Sequence, residues 1–328
     1  MGKYSIGLDI GGTKCAIVLG KGKIPDKNVD GFIVDKISFQ TLQARGWRAV
    51  VSDIFSGCDE ILANNGISSD DLTAIGISCG GPLDSAKGII YSPPNLPDWD
   101  AVPIVSILKE RYGVPVYLQN DANACALAEW RFGAGKGYKN LIFLTFGTGM
   151  GAGLILDGKL YSGTNDMAGE VGHIRLAEQG PLGYGKMGSF EGFCSGGGIE
   201  RLAKSKILDK LAIGEKPDLC PTKEELNCIT AKKVADAAKK GDALAIEIYQ
   251  ICGEYLGRGL AVLVDILNPQ AIIIGSIYER SSELLVNTME KALKSEALPL
   301  SLECCKILPA KLGDAIGDFA ALGVALNG

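Results

Sequence analysis

Short apolar runs and amphipathic stretches alternate along the whole chain. The apolar runs predict strands at 4–10, 15–20, 72–79, 114–119, 140–146, 153–157, 271–275 and 302–308. Apolar residues at helical spacing predict helices at 43–65, 103–112, 121–132, 196–212, 230–239, 242–266, 282–295 and 315–326. Strands that alternate with helices indicate an α/β protein with a parallel or mixed sheet. A strand–glycine turn–strand unit opens each half of the chain, which is the one sign of internal duplication.

The two glycine turns are DIGGTK, at 9–14, and FGTGMGAG, at 146–153. A Walker A loop requires Gly-Lys-Ser/Thr followed by a helix, whereas the first turn has Gly-Thr-Lys followed by an apolar, strand-like segment. A dinucleotide-binding fingerprint also requires a following helix, and the second turn is followed by another predicted hairpin. Two interpretations stay open. Each turn is either an ordinary glycine-rich hairpin or a hairpin whose backbone amides face an anion such as phosphate.

Asn120 and Asp121 lie where a predicted strand ends and a predicted helix begins. Both residue types favour the N-cap of a helix, so one of the two is expected to be a capping residue. The alternative is functional: Asp121 faces a ligand and accepts a proton from a hydroxyl, while Asn120 orients that hydroxyl. Phosphoryl transfer to an alcohol uses such a base.

Composition and charge narrow the class of protein. The chain has 328 residues, 47% hydrophobic residues and a formal net charge of −5. A sizeable core is therefore possible, and the acidic balance argues against a nucleic-acid-binding surface. Ten scattered cysteines without any C-x-x-C indicate free thiols, which predicts a cytoplasmic protein. No apolar run approaches the length of a membrane span, and the N-terminus has no signal-peptide pattern.

Several motifs together resemble one family. DIGGTK, SPPNLPDW, NDANACALAE, the run from Phe146 to Ile174 and NPQAIIIGS resemble the ROK family, sugar kinases and sugar-responsive repressors of the actin-like ATPase superfamily. The resemblance implies the actin-like (ribonuclease H-like) fold, with two α/β lobes around an active-site cleft. It predicts an N-terminal lobe over 1–119, with the final helix, about 312–328, packed back on it. The C-terminal lobe would cover 120–311.

The resemblance also implies an ATP site in which two turns bracket the phosphates. Its residues would be Asp9, Gly11, Gly12, Thr13, Lys14, Gly147, Thr148, Gly149, Gly151 and Gly275. Asp9 would lie near Mg²⁺ and contact it through water. Family members usually carry Gly-Gly where this chain has Gly275-Ser276, so the serine is a departure close to the adenosine.

For the sugar, the resemblance makes Asp121 the catalytic base that takes the proton from the 6-hydroxyl. The positions that would bind sugar are Gly81, Asn95, Asn120, Asp121, Glu170, His173 and Glu191, with Gly81-Pro82 in the loop that closes over the sugar. Amide, carboxylate and neutral imidazole groups suit this task because a sugar offers many hydroxyls. The structural alternative is that His173, the only histidine, forms hydrogen bonds with neighbouring residues and binds no ligand.

Many family members also bind structural zinc through this histidine and three cysteines just before the glutamate at 191. Leu182, Tyr184 and Ser189 stand at the three cysteine positions here. Leucine, tyrosine and serine do not build a Cys₃His site, so we predict no structural zinc site.

The leading hypothesis is an ATP-dependent hexose kinase that transfers the γ-phosphoryl group to a sugar hydroxyl, the 6-OH of glucose or a related hexose. The alternatives are a sugar-responsive ROK-type transcriptional regulator and a catalytically silent sugar-binding protein. The first phosphate motif begins at Asp9, which leaves no room before it for the DNA-binding domain of family repressors. The expected partners are ATP, Mg²⁺ and a sugar, without nucleic acid or membrane, in a homodimer or homotetramer.

Overall fold

The computed structural model describes residues 3–25 and 29–327. The strands are β1 (Tyr4–Ile10), β2 (Lys14–Lys21), β3 (Ile33–Gln40), β4 (Leu72–Cys79), β5 (Leu83–Asp84), β6 (Ile89–Ile90), β7 (Val116–Asn120), β8 (Leu141–Phe146), β9 (Met150–Leu156), β10 (Lys159–Tyr161), β11 (Leu182–Gly183), β12 (Lys186–Met187), β13 (Ala271–Ile274) and β14 (Lys306–Pro309). The helices are α1 (Trp47–Asn64), α2 (Ile104–Tyr112), α3 (Asp121–Phe132), α4 (Phe190–Phe193), α5 (Gly196–Ala212), α6 (Ala231–Lys239), α7 (Ala243–Leu267), α8 (Ile277–Glu296), α9 (Pro299–Glu303) and α10 (Ile316–Ala325). Among the described residues, no helix is both long and apolar enough to cross a membrane.

The chain divides into two compact units. Unit 1 contains 1–138, 153–168 and 311–328, and unit 2 contains 139–152 and 169–310. The boundary predicted at 119/120 therefore falls inside unit 1, and the chain returns to that unit twice. The physical reason is packing: α3, which follows the predicted boundary, packs against α10, and α10 packs on β1 and β4.

Unit 1 is built on a five-stranded sheet with the order β3-β2-β1-β4-β7. Strand β1 is antiparallel to β2 and parallel to β4, and β4 is parallel to β7. The register pairs Ile10 with Cys79 and Cys79 with Asn120. The carboxyl ends of β1, β4 and β7 therefore meet at one edge of the sheet, where ligands bind in open α/β sheets.

The core of this sheet consists of fully buried aliphatic side chains, among them Ile6, Leu8 and Ile17. Each such burial stabilises the fold by about 1.5–3 kcal/mol. On the other side of β1, Gly7 allows α10 to approach closely. A β-carbon at Gly7 would lie 2.8 Å from the Leu322 backbone nitrogen, so a larger residue there would push the helix away.

In unit 2, β13 is parallel to both β8 and β14. The register pairs Leu144 with Ile274, which brings the residues after β8 close to those after β13. Helix α7 packs along α8 and against α5 and α6. Its N-cap is Asp242, whose carboxylate accepts a hydrogen bond from the Ala245 N–H at 2.8 Å, and its C-cap is Asn268 in the left-handed conformation.

Some elements differ from the sequence prediction. No element was predicted over β3, which alternates half-buried and exposed residues at the sheet edge. The helix predicted from 43 begins at Trp47, because Gly46, at φ 77°, separates it from a short 3₁₀ turn. The strand predicted at 302–308 is confirmed only over β14, because α9 occupies Pro299–Glu303. The helix predicted from 282 extends N-terminally to Ile277, with a non-helical residue, Ser281, directly before the predicted start.

Candidate active site

The junction of β7 and α3 resolves which residue caps the helix. Asn120 is the N-cap: its Oδ1 accepts a hydrogen bond from the Asn123 N–H at 2.7 Å. Asp121 is the first helical residue, and its Oδ1 accepts from the Ala122 N–H at 2.8 Å. Backbone N–H groups of Asp121 and Ala122 thus orient the Asp121 carboxylate at the start of α3. Because Asn120 Oδ1 serves the cap, the amide Nδ2 is the group of this side chain best suited to donate to a ligand.

Two carboxyl groups with raised pKa values lie at the sheet edge of unit 1. Desolvation by the surrounding protein atoms raises the pKa of Asp121, although part of its surface remains accessible to solvent. Burial, followed by the charges of Asp318 and Asp121, raises the pKa of Asp9 to about 6, against opposing charges on Lys36 and Lys14. Groups with such shifts concentrate at functional sites.

The α10 helix contributes to the surroundings of Asp9. A β-carbon on Gly317 would lie 3.1 Å from Asp9 Oδ2, so the carboxyl group sits against the first turn of α10. Next to Gly317, Asp318 forms an ion pair of 2.6 Å with Lys36 of β3. No local sequence signal indicates Asp318 or Lys36, because the two positions lie far apart in the chain.

The first glycine turn is closed by a hydrogen bond of 3.1 Å from the Gly11 N–H to the Lys14 carbonyl. It is braced from outside by Thr41, whose hydroxyl donates to the Gly11 carbonyl at 2.6 Å, and by Gln43. The Gln43 amide donates both to the Gly12 carbonyl and, at 2.7 Å, to the Asn95 carbonyl. Thr13 and Lys14 at the tip are exposed. The Gln43 side chain, which no local sequence signal indicates, thus connects a predicted ATP residue, Gly12, to a predicted sugar residue, Asn95.

The loop after β4 lies beside Asn95. A β-carbon on Gly80 would be 3.3 Å from Asn95 Oδ1, and the following Gly81-Pro82 peptide is cis. Gly81 and Asn95 are both exposed. Unit 1 therefore gathers the predicted residues Asp9, Gly12, Gly81, Asn95, Asn120 and Asp121 at one edge of its sheet.

The second glycine turn, in unit 2, is closed by a hydrogen bond of 3.2 Å from the Gly147 N–H to the Gly149 carbonyl. The N-terminus of α5 supports it: the Gly196 N–H donates to the Gly147 carbonyl at 2.7 Å, and the Gly197 N–H donates to the Thr148 carbonyl at 3.3 Å. The Gly151 N–H donates to Thr145 Oγ1 at 2.9 Å. Thr148 is exposed at the tip.

Gly275 follows β13 and is fixed by a hydrogen bond of 3.1 Å to the Leu144 carbonyl. The next residue, Ser276, adopts φ 57°, a conformation that costs a residue with a side chain free energy but suits glycine. Its backbone N–H donates to Glu279 Oε1 at 2.7 Å, which completes a capping box at the start of α8. The departure at Ser276 is accommodated by this capping box.

The predicted sugar residues of unit 2 converge near the second turn. Glu170 and His173 belong to one 3₁₀ turn and are both exposed, with the His173 ring packed edge-on against Tyr184. Glu191 lies in α4, and its Oε2 accepts from the Met150 N–H at 3.1 Å. A β-carbon on Gly172 would lie 3.2 Å from the Glu191 β-carbon, so the 3₁₀ turn and α4 are in contact.

Asp9 is suited to Mg²⁺. It offers carboxylate oxygens, the ligands that Mg²⁺ prefers, at the end of β1 beside a turn with exposed backbone. Burial, the largest cause of its raised pKa, disfavours the negative charge of Asp9, and a bound divalent cation would offset that cost. Within 3–25 and 29–327, no group of three or more histidine, cysteine or acidic residues forms a metal cluster.

Comparison with known proteins places the chain among sugar kinases and regulators. The sequence model of the ROK family matches residues 5–326. A glucokinase of Halalkalibacterium halodurans is 32% identical over 96% of this chain and 92% of its own length. The crystal structure of a ROK family glucokinase from Streptomyces griseus, in complex with glucose and AMPPNP, aligns with TM-score 0.72 and 30% identity over 99% of this chain and 100% of that one.

A repressor is also among the relatives. The xylose repressor of Caldicellulosiruptor bescii is 34% identical over 78% of this chain, but the match covers 63% of the repressor. The kinase matches extend over nearly the full length of both partners, and the fold is the two-unit α/β fold of the ROK kinases. Because the family model matches the chain from residue 5 to residue 326, the chain belongs to the ROK family.

Proposed function

We propose that the protein is an ATP-dependent hexose kinase that transfers the γ-phosphoryl group to a sugar hydroxyl, with the 6-hydroxyl of glucose as the first candidate. One observation carries the proposal. The register of β1, β4 and β7 brings Asp9, the Gly81-Pro82 loop and Asp121 to one edge of the unit 1 sheet. Phosphoryl transfer to an alcohol needs a site for the phosphates, a site for the acceptor and a base, and these three elements are proposed to supply them.

Asp121 is proposed as the general base. Its Oδ1 is held by the Ala122 N–H, so Oδ2 accepts the proton of the sugar hydroxyl as that oxygen attacks the γ-phosphorus. The raised pKa of Asp121 brings the carboxylate closer to the operating pH, which makes it a better proton acceptor than an ordinary aspartate. The Asn120 amide is proposed to donate to a neighbouring sugar hydroxyl.

The ATP phosphates are proposed to bind the exposed backbone of the two glycine turns, around Gly11–Lys14 and Gly147–Gly151. Asp9 would hold Mg²⁺ through water, and the bound cation would neutralise phosphate charge. Glucose is the first choice of acceptor because glucokinases of Halalkalibacterium halodurans and Thermotoga maritima match this chain over 92% and 96% of their own length.

In this proposal Asn95, Glu170, His173 and Glu191 orient the sugar hydroxyls. Their residue types support the role, since carboxylates accept and amide or imidazole groups can donate to directional hydroxyls. The exposure of Asn95, Glu170 and His173 leaves these side chains accessible to a ligand.

The proposal is tested with a coupled assay for ADP release over a panel of hexoses, on the wild type and on Asp121→Asn. We expect turnover of glucose, and a fall in kcat of at least about 10²–10⁴ in the variant because the base is lost. Affinities for glucose and ATP, measured by calorimetry, should stay within a few-fold. Asp209→Asn, which changes an exposed carboxylate of α5, is the control. Near-normal kcat in Asp121→Asn would exclude Asp121 as the base, and no turnover of any hexose would exclude the kinase.

A further inference from the structure

The segment between His173 and Glu191 lacks the side chains of a zinc site. Leu182 and Tyr184, at two of the positions where relatives carry cysteine, are exposed on the β11–β12 hairpin, and Leu182 has no metal-binding atom. Tyr184 packs its ring against His173, with 6.4 Å between the ring centroids. The third position, Ser189, is completely buried. Zinc in structural sites takes four ligands from cysteine, histidine or carboxylates, and these residues do not fit it.

Backbone hydrogen bonds close this segment instead. The N–H groups of Leu176 and Ala177 both donate to the Gly188 carbonyl, at 2.8 and 3.1 Å, and the Gly188 N–H donates to the Pro181 carbonyl at 3.1 Å. The Phe190 N–H donates to the Ile174 carbonyl at 2.8 Å. The two ends of the segment are therefore tied together where a metal would otherwise hold them.

Ser189 is the side chain that links this closed segment to α4. Its Oγ accepts from the Gly192 N–H at 3.1 Å, as the N-cap of α4, and lies 3.4 Å from the Gly183 carbonyl, to which it can donate. A buried hydroxyl with both a donor and an acceptor partner fixes the hairpin relative to the helix.

The helix that Ser189 caps carries Glu191. The Glu191 carboxylate accepts from the Met150 N–H at 3.1 Å, and a β-carbon on Gly149 would lie 2.9 Å from its Oε2. A small rotation of α4 would therefore move the carboxylate away from this position.

We propose that Ser189 is a positioning residue that orients Glu191 toward the sugar, and that the segment between His173 and Glu191 works without zinc because this hydroxyl and the backbone bonds replace the metal. The inference rests on the proposed sugar-binding role of Glu191. It requires that the loss of one hydroxyl weakens sugar binding selectively, and that metal removal does nothing to the segment.

The first test is Ser189→Ala. The KM for glucose should rise about fivefold, the equivalent of the roughly 1 kcal/mol typical of a lost N-cap, while kcat and the KM for ATP stay within twofold. Ser189→Thr keeps the hydroxyl and should recover part of the loss. Thr230→Ala is the control for a lost cap, because the Thr230 hydroxyl caps α6, outside the segment, by accepting a hydrogen bond from the Lys233 N–H. It should lower the Tm without raising the KM for glucose.

The second test is metal content. The purified wild-type protein is measured for zinc by mass spectrometry, then treated with 1,10-phenanthroline and assayed again with Mg²⁺ restored. We expect less than one-tenth of an equivalent of zinc per chain, and an unchanged Tm and KM for glucose. One equivalent of zinc, with loss of glucose affinity on chelation, would overturn the metal-free segment.

Calorimetric titration of glucose into the wild type and Ser189→Ala separates this inference from the kinase proposal. Weaker binding by the variant supports positioning even if no turnover is found, an outcome that would reject only the kinase. Equal glucose affinity in the two proteins, or a variant that changes only the Tm as Thr230→Ala does, would overturn the role of Ser189. If Ser189→Ala does not fold, glucose is titrated into Ser189→Cys, whose thiol is a much weaker hydrogen-bonding group than the hydroxyl, and equal glucose affinity in that variant and the wild type would overturn the role of Ser189.

Discussion

The two glycine turns look alike in sequence but are supported in different ways. At the first turn, the preceding strand ends in Asp9-Ile10, and side chains from distant loops, Thr41 and Gln43, brace the glycine carbonyls. At the second turn, the strand ends in Thr145-Phe146, and backbone N–H groups of α5 support the carbonyls. The hydroxyl of Thr145 accepts a hydrogen bond from the Gly151 N–H, whereas the carboxyl of Asp9 lies against the first turn of α10.

In the proposed kinase, this difference would give the two turns different tasks. The first turn would place Asp9, whose pKa is raised to about 6, beside the ATP phosphates and so suit cation binding, while the second would offer backbone groups supported by the N-terminus of α5. A side-chain brace can be removed by one substitution, whereas a backbone brace cannot. The first turn should therefore be the more sensitive of the two to mutation.

The largest expected contrast comes from adding one methyl group to each turn. A β-carbon at Gly12 would overlap the Asn95 carbonyl oxygen and lie 2.7 Å from the Asn95 β-carbon, whereas the nearest atom to one at Gly147 is Ser276 Oγ at 3.8 Å. We expect Gly12→Ala to lower kcat/KM for ATP about a hundredfold, equivalent to ~3 kcal/mol of overpacking. Gly147→Ala should lower it by less than about threefold. Steady-state kinetics of both variants decide, and equal losses would refute the contrast.

The next effect is a dependence of stability on pH that only the first turn carries. The pKa of Asp9 is raised from 3.8 to about 6 in the folded protein, so the folded state binds the proton more tightly than the unfolded state. The contribution of Asp9 to the free energy of unfolding is complete below about pH 3.8 and is lost as the pH rises through about 6. In metal-free protein, Asp9→Asn should raise the free energy of unfolding at pH 7.5 by about 2 kcal/mol, less than the ~3 kcal/mol of the full shift because Asp9 is partly accessible.

The measurement is urea unfolding of both proteins at pH 4, 5, 6 and 7.5 with a chelator present. The increase in the free energy of unfolding of Asp9→Asn over the wild type should become smaller toward pH 4. The control is Asp209→Asn, which changes an exposed carboxylate in α5. Its free energy of unfolding should change with pH in the same way as that of the wild type. A gain that is constant over this range would show that Asp9 does not titrate as inferred.

The smallest effect is removal of the side-chain brace. Gln43→Ala deletes the donor to the Gly12 and Asn95 carbonyls, so we expect KM to rise about three- to fivefold for both ATP and glucose, the value of about one hydrogen bond. Gln250→Ala, an exposed glutamine of α7, is the control for kinetics. A rise confined to one substrate would mean that Gln43 does not couple Gly12 to Asn95.

Local signals in the sequence predicted some of these features and not others. The cap at the β7–α3 junction, the Thr230 cap of α6 and the end of α7 at Asn268 follow from residue type, and the structure confirms all three. Whether Asn120 or Asp121 caps α3 was left open, because both types suit the position and only geometry separates them.

Other features depend on contacts between distant segments. Gln43 reaches Gly12 and Asn95 from a 3₁₀ turn, and Lys36 meets Asp318 from β3, so no spacing rule could identify either. The role of Ser189 was also invisible, since its position suggested only a missing cysteine. Its burial and its capping bond appear when the hairpin and α4 are placed together.

Helix α10 has a consequence for how the protein is made. Asp9 lies near the start of the chain, but Gly317 and Asp318, which lie against it or act on its charge, come almost last. During synthesis the sheet of unit 1 therefore waits, with one face of β1 and β4 uncovered, until all of unit 2 has left the ribosome. At about 5–20 residues per second that interval lasts roughly ten seconds or more. A nascent chain can assemble its second glycine turn long before the first acquires its final electrostatic environment.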